Sequence, residues 1–239
     1  MKKEIEMENN FYATHLSKGD TNVLMNSVYQ WMMVGLLVSA LSAFMVTHSP
    51  YMLNLLFANP YAIWVLFFIE IGLVIAISAG INKMDVSTAR TLFVLFSIVD
   101  GMTLASIFLI YTEASIVTTF FIAAMTFGVM SLYGYFTDSD LSSWGGILFA
   151  GLIGIIIALV VNFFLKSPAF EWWISLIGVV IFVGLTAYDT QKIKQMGETM
   201  ANGDPQSLSR VAIVGALALY LDFINLFIMM LEFFGNRRN

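Results

Sequence analysis

Five polar side chains lie in stretches that are otherwise almost wholly apolar. Glu70 falls in the middle of FFIEIGLVIAISAG, Asp100 in SIVDGMTLASIF, Asp189 in GLTAYDTQKIKQ, and Asp222 in LALYLDFINLFIMML with Asn225 three residues on. A charge in hydrocarbon is costly, at least about 2.5–3.5 kcal/mol on insertion scales, so these carboxyls should point inward and mark a proton or ion path. The competing reading is structural: each is a neutral acid hydrogen-bonded to a neighbouring helix as packing glue. For Asp100 that reading is strengthened by Gly101, which allows close helix approach. Asp189 and Asp222 are different because they lie on consecutive segments. Two carboxylates about 4 Å apart repel by about 4 kcal/mol at an effective dielectric near 20, so they would share a proton. A hard divalent cation such as calcium would compete for the same oxygens. Tyr188 and Tyr220, one and two residues before the aspartates, are candidate hydrogen-bond donors to them, or ordinary packing tyrosines.

The elements that must hold these residues follow from composition. Apolar residues make up 59% of the 239 and charged ones 11%, and the mean hydropathy is +0.84. A soluble chain of this length would be nearer half apolar and a quarter charged. Seven apolar runs, at roughly 25–47, 61–82, 88–111, 115–136, 143–165, 171–195 and 208–234, are each long enough to cross a core of about 30 Å. The expected fold is an all-α integral membrane protein of seven transmembrane helices in one domain (about 25–239), after a polar N-terminal tail (about 1–24). His48-Ser49-Pro50 and Asn59-Pro60 bracket the first loop, Asp138-Ser139-Asp140 the fourth, Ser167-Pro168 the fifth and Asn202-Gly203-Asp204-Pro205 the sixth.

Basic residues set the expected orientation. With a cytoplasmic N-terminus the inner segments carry Lys2, Lys3, Lys18, Lys83, Arg90, Lys192, Lys194 and Arg210, against Lys166, Arg237 and Arg238 outside. The terminal arginine pair pulls the other way and favours a last helix that crosses only in part. In either arrangement Asp189 lies about seven residues from the end of its helix and Asp222 about fourteen from the start of its own. That is an axial offset of about 10 Å, so the pair meets only if the last helix begins nearer the cytosol or its neighbour is long or bent.

Several classes are disfavoured. The chain has no cysteine, which excludes disulfides and thiolate sites, and its net charge of −5 argues against nucleic acid. No P-loop, H-E-x-x-H or G-x-S-x-G occurs, so no enzyme activity and no cofactor are expected. His15 and His48 are isolated and poor metal ligands. Gly145, Gly146, Gly151 and Gly154 suit tight helix packing, and Trp144, Trp172 and Trp173 an interfacial belt.

The segments GLTAYDTQKIK (184–194) and ALALYLDFINLFIMMLEFFG (216–235) resemble the Bax inhibitor-1/YccA family of membrane proteins. The resemblance implies six helices around a central seventh, a pH-sensitive latch formed by Asp189 and Asp222, a matching glutamate at Glu70, and a pH-dependent calcium leak in a bacterial inner membrane. Where some members carry an arginine near the inner end of helix two, this chain reads AGINKMD, so a basic lock would fall to Lys83, a point charge without the bidentate fork. The connection at 197–209 is longer than in compact members. The expected partners are the lipid bilayer, protons and calcium, the last as a transported or transiently bound ion held by Asp189 and Asp222. The resemblance also offers an alternative function, in which the chain is a regulator or substrate of a membrane-bound ATP-dependent protease engaged through the N-terminal tail. Deleting residues 2–20 would separate the two readings.

Overall fold

Seven helices in the computed structural model are long and apolar enough to cross a membrane. It describes residues 2–199 and 205–238, with side chains from residue 21 onward except at position 60. In chain order the helices are α1 (Lys2–Thr47), α2 (Pro50–Phe57), α3 (Pro60–Gly80), α4 (Val86–Ile110), α5 (Glu113–Phe136), α6 (Ser142–Leu165), α7 (Pro168–Thr199) and α8 (Pro205–Phe234). The first candidate span begins at Thr21 within α1. The side chains of the expected polar tail before it, His15 included, lie outside the described residues, as do residues 200–204.

Helix starts obey local chemistry. Pro50 and Pro60 occupy first-turn positions, where a missing N–H costs nothing. The Tyr61 N–H donates to Asn59 Oδ1 at 3.0 Å, and Ser49 caps α2 in the same manner. The short α2 was not expected, because Ser49-Pro50 reads equally as a loop bracket and as a helix start. α6 ends at Lys166, which takes the left-handed conformation (φ 49°) before Ser167-Pro168 turns the chain into α7.

The bundle has two ends. At one, called the near end, Thr21 of α1 packs beside Gly197 of α7, and Gln191 of α7 bonds the α5–α6 turn. At the far end the chain terminus pairs with the α4–α5 corner. There the Thr112 N–H donates to the Asn236 carbonyl (3.0 Å) and the Arg238 N–H to that of Ile110 (2.8 Å). α8 therefore runs the full length of the bundle, and the partly crossing alternative is not what is observed. The arginines that suggested it are matched locally, Arg237 by Glu171 and Arg238 by Glu113. The Glu171 carboxylate holds the Arg237 guanidinium above its ordinary range.

α8 is the most enclosed helix, with 67% of its apolar window buried against 11% for α3 and α6. It packs on α1, α3, α4, α5 and α7, while α6 packs mainly on α7 and meets α3 through the edge contact of Phe163 with Trp64. Five of the six other spans thus contact the last one. Its core is built from Leu217, Leu219, Tyr220, Leu226 and Leu231, all nearly inaccessible.

Close contacts between backbones hold the layers together, as expected where small residues replace the hydrophobic drive. Gly101 of α4 lies against the Ser39 backbone of α1, and Gly134 of α5 against the Ala187 carbonyl of α7. Of the α6 glycines, Gly145 accommodates the Tyr188 ring and Gly151 the Ile181 side chain, but Gly146 and Gly154 face open space.

Candidate functional site

Ser175 lies beside Glu232, Gly178 beside Met229 and Ile193 beside Gly215 along the antiparallel pair α7–α8. That register sets Asp189 level with Leu219, one helical turn from Asp222 rather than two. The offset expected from counting to the helix ends is reduced because α8 starts beyond the end of α7, deeper into the near end. The carboxyls of Asp189 and Asp222 face one another across the interface, near enough for each to bear on the other's charge. Two carboxylates so placed share a hydrogen bond only when one of them carries a proton. Asp222 is buried, and its Oδ2 has no hydrogen-bond partner.

The surroundings differ from the expected ones. The cation that bears on Asp189 is Lys192, one turn along α7, with its ammonium 5.7 Å from the centroid of the Tyr188 ring. Lys83 sits in the α3–α4 turn, and its side chain makes no ion pair or hydrogen bond among the described residues. Tyr188 donates nothing to Asp189, since its ring packs on Gly145 of α6. Tyr220 turns away from Asp222 and bonds Asp100 instead. Asn225, although on the Asp222 side of α8, donates its Nδ2 to the Leu221 carbonyl of its own helix at 2.7 Å.

Glu70 and Asp100 belong to a second polar group, between α1, α3, α4 and α8. Thr103 donates to Glu70 Oε1 at 2.5 Å. Tyr220 joins Asp100 to Ser39 of α1, and Ser39 in turn reaches the Ser97 carbonyl at 2.7 Å. Sequence reasoning missed Ser39, Ser97 and Thr103, because serine and threonine in apolar helices usually bond their own backbone and give no pattern.

A groove of about 610 Å³ opens between α1 and α5 toward the near end. Two hydrogen bonds span it, Tyr29 to Ser131 at 2.5 Å and Tyr135 to Asn22 at 2.7 Å. From Ser131 the hydroxyl chain continues 3.0 Å to Thr190, the chain neighbour of Asp189. Among the described residues no group of three or more His, Cys, Asp or Glu side chains is arranged to hold a metal ion.

Residues 21–239 match the sequence model of the family described as inhibitor of apoptosis-promoting Bax1. The chain belongs to the Bax inhibitor-1 family. Within that family it is similar to the inner membrane protein YbhL of Escherichia coli (strain K12), with 51% identity over 214 residues, 90% of this chain and 92% of the relative. A protein of Borreliella burgdorferi is 45% identical over 238 residues, 100% of this chain and 97% of its own. The protein RP147 of Rickettsia prowazekii is 41% identical over 215 residues, 90% of each chain. The family match and the Borreliella burgdorferi alignment extend far beyond the two segments that first suggested the Bax inhibitor-1 family and take in all seven apolar spans.

Proposed function

We propose that this Bax inhibitor-1 family member is a proton-regulated cation leak, with calcium as the ion and the Asp189–Asp222 pair as the gate. The observation that carries the reading is that those two carboxyls face one another, one of them on the most enclosed helix with a buried oxygen left without a hydrogen-bond partner. While the pair shares a proton, α7 and α8 are tied across their interface. A change in proton occupancy alters that tie, and so biases α8 between two arrangements through the differential affinity of each for the proton.

Calcium fits as a passing ion rather than a resident one. It takes about six to eight oxygen ligands, and two carboxylates supply only part of that shell. The α1–α5 groove and its hydroxyl chain, Tyr29 to Ser131 to Thr190, offer a hydrated approach to the α7 segment that bears Asp189. The name of the Escherichia coli relative supports placement in a bacterial inner membrane. The basic residues toward the near end, Lys83 in the α3–α4 turn and Lys192 and Lys194 on α7 among them, support a cytoplasmic near end and therefore a cytoplasmic N-terminus.

Calcium flux into liposomes holding the purified protein, scanned over about pH 5 to 8, tests the reading. Wild type should leak with a pH dependence that Asp189→Asn and Asp222→Asn each alter. Flux identical to wild type in both variants, at every pH, would sink it.

A further inference from the structure

Tyr220 is fully buried and has two oxygen partners on two other helices, Asp100 Oδ2 on α4 and Ser39 Oγ on α1, the latter at 2.5 Å. Ser39 Oγ also lies 2.7 Å from the Ser97 carbonyl and 3.0 Å from that of Gly35. Asp100, Ser39 and Ser97 are themselves more than nine-tenths buried.

Tyr220 and Ser39 bring one proton each, and the Asp100 carboxyl and the Ser97 and Gly35 carbonyls compete for them. With Asp100 ionised, Tyr220 donates to its Oδ2, and the carboxylate is a charge inside the apolar bundle with no cation on it among the described residues. A proton on Asp100 removes that charge and can turn the contact around, freeing the phenol proton for Ser39 and the serine proton for the Ser97 carbonyl.

Besides Tyr220 itself, α3 brings Glu70, tied to Thr103 one turn along α4, and among the described residues no other titratable group bears on Asp100. The α1 partner in the chain, Ser39, is a hydroxyl. Asp222, two residues along α8, is turned about 200° away and engages α7.

We propose that Asp100 is a second proton-binding site of this protein, separate from the Asp189–Asp222 pair, whose proton completes a hydrogen-bonded chain fastening α8 to α1 and α4. The site is a fastening on the opposite face of α8 at the same depth, and it requires nothing of ion conduction.

Infrared difference spectra of the protein in lipid, in light and heavy water across a pH titration, test it. Wild type should show a carboxylic-acid C=O band that Asp100→Asn abolishes and Asp222→Asn keeps. Tyr220→Phe removes the acceptor of the Asp100 proton, so the band should move to higher frequency. An unchanged set of acid bands in a helical, monodisperse Asp100→Asn protein would overturn the assignment. Should that variant fail to fold, an unmoved band in Tyr220→Phe would overturn it equally. Because flux is not measured, a failed leak assay leaves this result standing, and the reverse also holds.

Discussion

Replacing Gly101 with alanine should force α1 and α4 apart. The added Cβ would lie 2.3 Å from the Ser39 carbonyl oxygen, 2.7 Å from Ser42 Cβ and 2.8 Å from Ser39 Cα, and ordinary contact begins at 3.4 Å. Two of those three atoms belong to the backbone of a packed helix, so no rotamer change relieves the clash and the helices must separate by about 1 Å. Separation on that scale would stretch the bonds from Ser39 to the Ser97 carbonyl and from Ser42 to the Ile98 carbonyl, now 2.7 and 2.8 Å, past useful length. Overpacking costs about 1–3 kcal/mol and each interhelical hydrogen bond about 0.6 kcal/mol. The expected loss is about 2–4 kcal/mol, a shift of about 30- to 1,000-fold in the unfolding equilibrium. Unfolding by denaturing detergent in mixed micelles, followed by circular dichroism, measures it. Gly128→Ala and Gly154→Ala are the controls. Nothing lies within 4 Å of either added carbon, so both should equal wild type or gain up to about 1 kcal/mol from helix propensity. A Gly101→Ala protein within about 0.5 kcal/mol of wild type would refute the claim that this contact sets the α1–α4 spacing.

Gln191→Leu should cost about 2–3 kcal/mol, because Gln191 accepts from the buried Leu141 N–H and donates to the Ser139 carbonyl, both at 2.8 Å; faster amide exchange at Leu141 is the check. Arg237→Ala should cost under about 1 kcal/mol, since the pair with Glu171 is partly exposed, and the difference from wild type should vanish in high salt. The chain has no cysteine, so single cysteines at Asp138 and Asn236 can be labelled cleanly. They lie at opposite ends of the bundle, and an impermeant thiol reagent applied to intact cells should label Asn236→Cys and spare Asp138→Cys if the near end is cytoplasmic. Hydrogen bonding from Ser142, its side chain first and then its main chain, holds the Asp140 carboxyl below the usual range. Its contribution is present above the ordinary aspartate range and fades as pH falls through the lowered value, so Asp140→Ala should narrow its deficit against wild type in strong acid, read by thermal unfolding.

The seven spans were legible because hydrocarbon thickness fixes their length and the apolar runs match it. That the carboxyls lie within the spans was legible too, but their relative level and the neighbours of each were not. Residues two apart on a helix point about 200° from one another, so Tyr220 could not serve Asp222, and a helical projection would have assigned it to another face. The same projection puts Lys192, three residues from Asp189, ahead of Lys83 as the nearest cation. The meeting of Asp189 with Asp222 depends on how far α8 overshoots α7, a register set by Gly178 and Gly215 against Met229 and Ile193, and no local rule encodes it. Ser39 escaped notice because its role comes from two helices distant in sequence.

The far-end attachment of the chain terminus constrains how the last helix can travel. Residues 236–238 are sewn to the α4–α5 corner by main-chain bonds, and Arg237 is clasped by the first turn of α7. A piston stroke along the bundle axis would have to tear these ties all at once. Swinging about the far end, like a pendulum from its pivot, leaves them intact and gives the largest displacement at the near end, where α8 is held by side-chain packing, Gly215 against Val28 and Ile193. Cargo fused behind Asn239 would load the pivot itself, so a probe of α8 motion belongs at the near end, around Ser209.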